Sequence, residues 1–176
     1  AECLIPLIDN DQNKAIQIAS EIINSFEKKY EEKWMNMMRD KLGIFGVDKS
    51  DKFLILDLLT WMHQKNVDYT NTFCHLMNEN IKENKNYKDK DFQNWKIRWN
   101  ERLKTNNNAP EKFLKLMKSA NPLIIPRNHK VEEALDAAKE DNLHLFNKLI
   151  EILKEPYSAQ KDIYEYQIPS PLDKKY

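Results

Sequence analysis

Three polar side chains in a row, Arg127, Asn128 and His129, follow two prolines, Pro122 and Pro126, and open a helix-length segment. An arginine and an asparagine at a helix start have one evident chemistry. The unpaired first amides and the helix dipole favour negative charge there, so the pair could hold an anion. The same residues also have a structural use: Asn128 can cap the helix while Arg127 pairs with a carboxylate and pins the chain's entry. The structural use is the expectation adopted. No residue of the chain is assigned a catalytic role, a cofactor contact or a metal ligand.

The elements around this cluster are helical. Between the prolines, Leu123, Ile124 and Ile125 form a short apolar run, and each proline fixes its own φ and keeps the residue before it out of the helical region. A rigid elbow is expected. Two one-faced helices follow, one carrying Val131, Ala134, Leu135 and Ala138, the other Leu145, Phe146, Leu149, Ile150 and Leu153. The few polar residues near Glu140 to Asn142 are enough to fold them back as an antiparallel hairpin.

Upstream, an apolar pattern runs from Asn10 to Leu42 through Ile18, Ile22, Ile23, Phe26, Tyr30, Trp34, Met37 and Met38. Asp9, Asn10 or Asp11 is expected to cap it, Gly43 to close it, and a break near Glu27–Lys29 is allowed for by its length. The Trp34, Met37, Met38 cluster is taken as core packing. Asp51 to Asn66 is apolar nearly all round, from Phe53 to Met62, and is expected to be a central post buried on more than one side. Asp68 is expected to cap a short helix through Leu76, with His75 at the surface or satisfied. Asn78 to Asp89 is expected to be an exposed polar loop.

Phe92, Trp95, Ile97, Trp99 and Leu103 then build an aromatic helix with Arg98 and Arg102 one turn apart. Stacking on nucleobases is one use for such interleaving; packing with surface salt bridges is the expectation. Asn108 and Pro110 start the next helix, with Phe113, Leu114, Leu116 and Met117 inward. The last stretch, 158–176, is expected to be an extended tail held by Ile163, Tyr164, Tyr166 and Ile168. The expected fold class is all-α: a multi-helix bundle with a long N-terminal helix, a C-terminal helical hairpin and an extended tail. Its divisions are a helical lobe over 1–77, the polar loop 78–89, a helical extension over 90–157, and the tail 158–176.

Composition removes several function classes. Lys plus Arg and Asp plus Glu both number 28, so no net field draws nucleic acid or an anionic membrane. Glycine occurs twice, at Gly43 and Gly46, and no phosphate-cradling GxGxxG or GxxxxGK[ST] can be written. GxSxG and HExxH are missing too. Cys3 and Cys74 lack metal-ligand spacing and are each taken as a lone buried thiol. No apolar run nears the roughly 20 residues that span a bilayer, and no signal peptide opens the sequence. The expected setting is a reducing cytoplasm.

The run NPLIIPRNHKVEEALDAAKEDN (121–142), with Pro156 and Tyr157 after the apolar helix, resembles the C-terminal region of the selenoprotein O family. MRDKLGI (38–44), DYTNTF (68–73) and WKIRWNERL (95–103) resemble further segments of it, in the same order. The resemblance implies a chain related to kinase-like enzymes that transfer AMP from ATP to protein hydroxyls with Mg²⁺. It also implies that 1–77 ends the kinase-like lower lobe and that catalytic residues lie before Ala1. The apolar start, Cys3 to Ile8 without a cap, suits a C-terminal fragment whose partners are the missing kinase-like half and that enzyme's protein substrates. The family's C-terminal Cys or Sec has no counterpart here.

Two functions are therefore expected as alternatives. One is a non-catalytic helical scaffold within a protein AMP-transferase. The other is an independent helical interaction module without enzymatic activity. Neither needs nucleic acid or a membrane.

Overall fold

The computed structural model describes residues 2–77, 84–105, 109–161 and 163–170, and among these the chain is all-α, without a strand. It divides into two compact units, Ala1–Met38 and Arg39–Tyr176. No helix among the described residues is long and apolar enough to cross a membrane.

The first unit is a 3-10 turn, Glu2–Leu7, followed by most of helix α1 (Gln12–Lys41). Asp11 is the residue that caps it, its Oδ1 accepting from the amides of Asn13 (2.9 Å) and Lys14 (3.3 Å). The helix passes unbroken through Glu27–Lys29, where a break was expected. Its sequence there, EKKYEEK, consists mostly of strong helix formers and lacks Gly and Pro. The expected inward residues Ile22, Ile23, Phe26 and Tyr30 are exposed, at 60–66%. Of Trp34, Met37 and Met38, Met38 alone is fully buried, and Cys3 is exposed instead of buried.

The second unit begins with the last turn of α1. Gly43 closes that turn at φ +69°, and the Ile44 amide reaches back to the Arg39 carbonyl at 2.9 Å. A side chain at Gly43 would place its Cβ 2.9 Å from Met117 Cγ, so the site demands glycine for space as well as for φ. Helix α2 (Asp51–Gln64) buries Leu54, Ile55, Leu58, Trp61 and Met62, a single stripe at three- and four-residue spacing. The expected post buried on several sides is thereby corrected: Phe53 is 70% exposed and Leu56 is exposed too. A one-sided packing geometry has room for one stripe, whatever the helix's overall hydropathy.

Helix α3 (Tyr69–Leu76) is capped by Asp68, whose Oδ1 accepts from the Asn71 amide at 2.8 Å. After it, residues 78–83 of the expected polar loop lie outside the described residues. The rest, 84–89, is a 3-10 turn (Lys85–Lys88) that buries Tyr87, a correction to the expected exposed loop. Tyr87 stacks on His75, ring centroids 3.9 Å apart, and meets Trp61 and Phe92. Burial pushes its hydroxyl up to about 12, against an opposing hydrogen bond with Thr72. Helix α4 (Lys90–Lys104) continues the aromatic interior with Phe92, Trp95 and Trp99, while Ile97 faces solvent. The two indole N–H groups of α4 find carbonyls: Trp95 donates to Leu54 at 2.8 Å and Trp99 to Leu42 at 2.9 Å.

Helix α5 (Pro110–Ala120) starts with its proline in the first position, where no amide is lost. The expected Asn108 start signal lies outside the described residues. Helices α6 (Asn128–Lys139) and α7 (His144–Leu153) form the C-terminal hairpin, the chain turning between them with Asp141 at φ +58°. Its seam is Ala134, Leu149 and Ile152. Leu135, Leu145, Phe146 and Ile150, expected on the inner faces, remain exposed. In the tail, a helical turn α8 (Tyr164–Gln167) buries Tyr166 and Gln167, and Tyr164, expected as an anchor, is exposed.

Candidate functional site

The elbow is held by backbone first. The amides of Leu123 and Ile124 both donate to the Pro156 carbonyl, at 2.7 and 3.3 Å, tying the proline-flanked run to the far end of α7. Pro126 and an extended Arg127 (ψ 132°) then turn the chain into α6. Arg127 is 7% exposed and lies against the start of α3. Its guanidinium grips Asp68 with two parallel bonds, Nη1 to Oδ2 at 2.8 Å and Nη2 to Oδ1 at 3.0 Å, and Nη2 also reaches Asn71 Oδ1 at 3.3 Å. A planar fork facing a carboxylate is the geometry that suits arginine and not lysine.

The same carboxylate caps α3, so one aspartate organises two helix starts. Asn71 extends the network by donating to the Gln167 carbonyl (3.0 Å), and Gln167 Nε2 donates to the Leu123 carbonyl (3.1 Å). His129 is buried and its Nδ1 sits 2.8 Å from Ser170 Oγ. Asn128 is exposed. It does not cap α6, which corrects the expectation. Arg127 occupies the cap position, and its side chain makes no cap hydrogen bond. The reason is local: with Arg127 extended, Asn128 is already the first helical residue, past the point where its oxygen could reach back.

Two further polar knots lie in the same unit, and sequence reasoning assigned neither. Asp51, fully buried, accepts from Arg39 Nε and Arg102 Nε, both at 2.7 Å, and from the Asp48 amide at 3.0 Å. Burial pushes the Asp51 carboxyl up, but bonds from Arg102, the Asp48 amide and Arg39 outweigh it and hold the group below the usual carboxylate range. Asn121 donates to the carbonyls of Lys41 (2.9 Å) and Met117 (2.8 Å). Lys41 Nζ answers to the Ala120 carbonyl at 3.0 Å and Asn121 Oδ1 at 3.2 Å. Burial, partly opposed by Cys74, pulls the Lys41 ammonium below the usual lysine range.

A signal for these knots was present in the sequence. Arg39 and Lys41 lie in MRDKLGI, Asp68 and Asn71 in DYTNTF, Arg102 in WKIRWNERL, and Asn121 and Arg127 in the NPLIIPRNHK run. The four segments that carry the family resemblance thus supply most of these side chains, while Asp51, the centre of one knot, lies outside all four.

Chemically, the arrangement is a set of clamps. Arg39, Lys41, Arg102 and Arg127 face carboxylates or carbonyls of the chain itself, and of Arg127's guanidinium the buried Nε–H has no hydrogen-bond partner among the described residues. Beside it lies an open groove of about 800 Å³, bordered by Asn66, Asp68, Asn71, Tyr87 and Ser170. Among the described residues, no group of three or more His, Cys, Asp or Glu side chains is placed to hold a metal ion.

An all-α, clamp-rich domain of this kind is a structural class before it is a family. The family follows from sequence: residues 1–154 match the family model described as "Protein adenylyltransferase SelO", and the chain belongs to that family. Its relatives include proteins described as "Protein nucleotidyltransferase YdiU". The one from Pelagibacter ubique (strain HTCC1062) is 52% identical over the whole chain, which covers 37% of that relative. Those from Alcanivorax borkumensis and Clostridium botulinum (strain 657 / Type Ba4) are each 43% identical over 97% of the chain, covering 35% of the relative. The chain thus spans about a third of the length of the curated relatives it matches.

Proposed function

We propose that the chain is the helical C-terminal portion of a protein adenylyltransferase, an enzyme passing AMP from ATP to Ser, Thr or Tyr hydroxyls of other proteins, and that this portion is a scaffold and not the catalyst. The observation that carries the reading is how the buried charges are used. Asp51 answers Arg39 and Arg102, and Asp68 answers Arg127, so the strongest polar groups hold helices to one another. Transfer of a nucleotidyl or phosphoryl group needs basic groups turned toward phosphates and acids or amides that hold Mg²⁺. Those groups, with ATP and Mg²⁺, belong in this reading to the remainder of the enzyme, whose kinase-like half and protein substrates are the chain's partners. A reducing cytoplasm suits the two free cysteines, Cys3 and Cys74.

The test is intact-mass spectrometry after incubation with ATP and Mg²⁺, run on this chain and on a longer form extended upstream through its own gene. Addition of AMP by the longer form alone is the expected outcome. Addition by this chain alone overturns the scaffold reading.

A further inference from the structure

The middle of α1 is exposed along nearly its whole length. From residue 20 to residue 33 each side chain is exposed except Ser25, which is half-buried. This stretch is nevertheless amphipathic. Ile16, Ile22, Ile23, Phe26 and Tyr30 fall on one side, all exposed, with Phe26 and Tyr30 stacked at 6.0 Å between ring centroids. Glu27, Lys28, Glu31 and Glu32 occupy the other side. Helices of this kind owe most of their stability to packing of the apolar face, and here that face meets water.

We infer that this stripe is the docking surface for the part of the same polypeptide that the relatives carry beyond the matched third. The inference rests on the reading given under Proposed function, since it takes the enzyme's remaining portion as the occupant. Two observations select that occupant. The whole chain matches only 37% of the Pelagibacter relative, so nearly two thirds of such a protein is outside it and available to cover the helix. The stripe is also narrow: five side chains over about 21 Å of helix, against the roughly 20–30 residues a side of a stable interface between separate molecules. A partner on the same chain needs less surface, because tethering supplies a high effective concentration. The occupant is therefore expected to present an apolar groove wide enough for Phe26 and Tyr30.

Hydrogen exchange followed by mass spectrometry on the full-length protein, compared with this chain, tests it without any substitution. Peptides covering residues 20–33 should exchange at least tenfold more slowly in the full-length protein. The variant Phe26→Asp should remove that protection in the full-length protein, and Phe26→Leu should keep it. Equal exchange in the two forms overturns the inference. Concentration-dependent self-association of this chain, abolished by Phe26→Asp and accompanied by equal exchange, would hand the stripe to a second copy instead. AMP addition by the same full-length sample separates the two readings. Protection without AMP transfer leaves the docking surface standing and removes the adenylyltransferase reading; AMP transfer without protection does the reverse.

Discussion

One region of this protein buries charge, and another exposes grease. In the second unit the carboxylate of Asp51 is fully buried between two arginines, while in the first unit the five large apolar side chains of the α1 stripe stand in water. Ordinary hydrophobic partition predicts the opposite of both. The buried charge is tolerable because every oxygen of Asp51 has a partner, which offsets the desolvation cost. The exposed stripe has no such internal answer. The difference separates a region whose buried charges are answered by its own residues from one whose apolar face meets water.

Breaking the complete region should have the largest effect. Asp51→Ala leaves two guanidinium groups buried without their carboxylate and should cost about 3–5 kcal/mol, read as a lowered denaturation midpoint. The pH dependence has a definite sign. Because the folded pKa of Asp51 lies below the ordinary carboxylate value, its contribution is fully present above the unfolded pKa of about 4 and is lost as pH falls through the folded value. The stability gap between the natural chain and Asp51→Asn should therefore narrow below about pH 4 in acid-titrated melts. A gap independent of pH would mean that the carboxylate's charge is not what the arginines use.

Arg127→Ala should cost less, about 2 kcal/mol, because its partner Asp68 is partly solvated and can be rehydrated. Arg127→Lys should recover little of it, since an ammonium cannot make the two parallel bonds. Gly43→Ala should cost about 1–2 kcal/mol from the positive φ and the 2.9 Å approach to Met117, which can yield only in part. At the small end, Phe26→Gln should change this chain's midpoint by no more than about 0.5 kcal/mol. A large loss there would show the stripe to be internally packed after all and would dissolve the contrast between the two regions.

The helices themselves were legible, because three- and four-residue apolar spacing, Asp68 before α3, Pro110 at the head of α5 and Gly43 after α1 each act within a turn or two of their own position. Which side of a helix is covered was not. Phe53, Ile97 and Ile150 sit in apolar patterns as good as those of Ile55, Trp99 and Leu149, and only the neighbours present in space separate the exposed from the buried. Tyr87 shows the converse: a Lys- and Asn-rich surrounding hid a core aromatic, since its partners Trp61, His75 and Phe92 come from three other elements.

At the elbow, the sequence alone determined the bend and the family, through fixed proline torsions and four ordered motifs. The tertiary structure decided what Arg127 does. Its partner Asp68 lies 59 residues away, and a bidentate pair across that separation is set by the packing of α3 against the elbow, which no local spacing encodes.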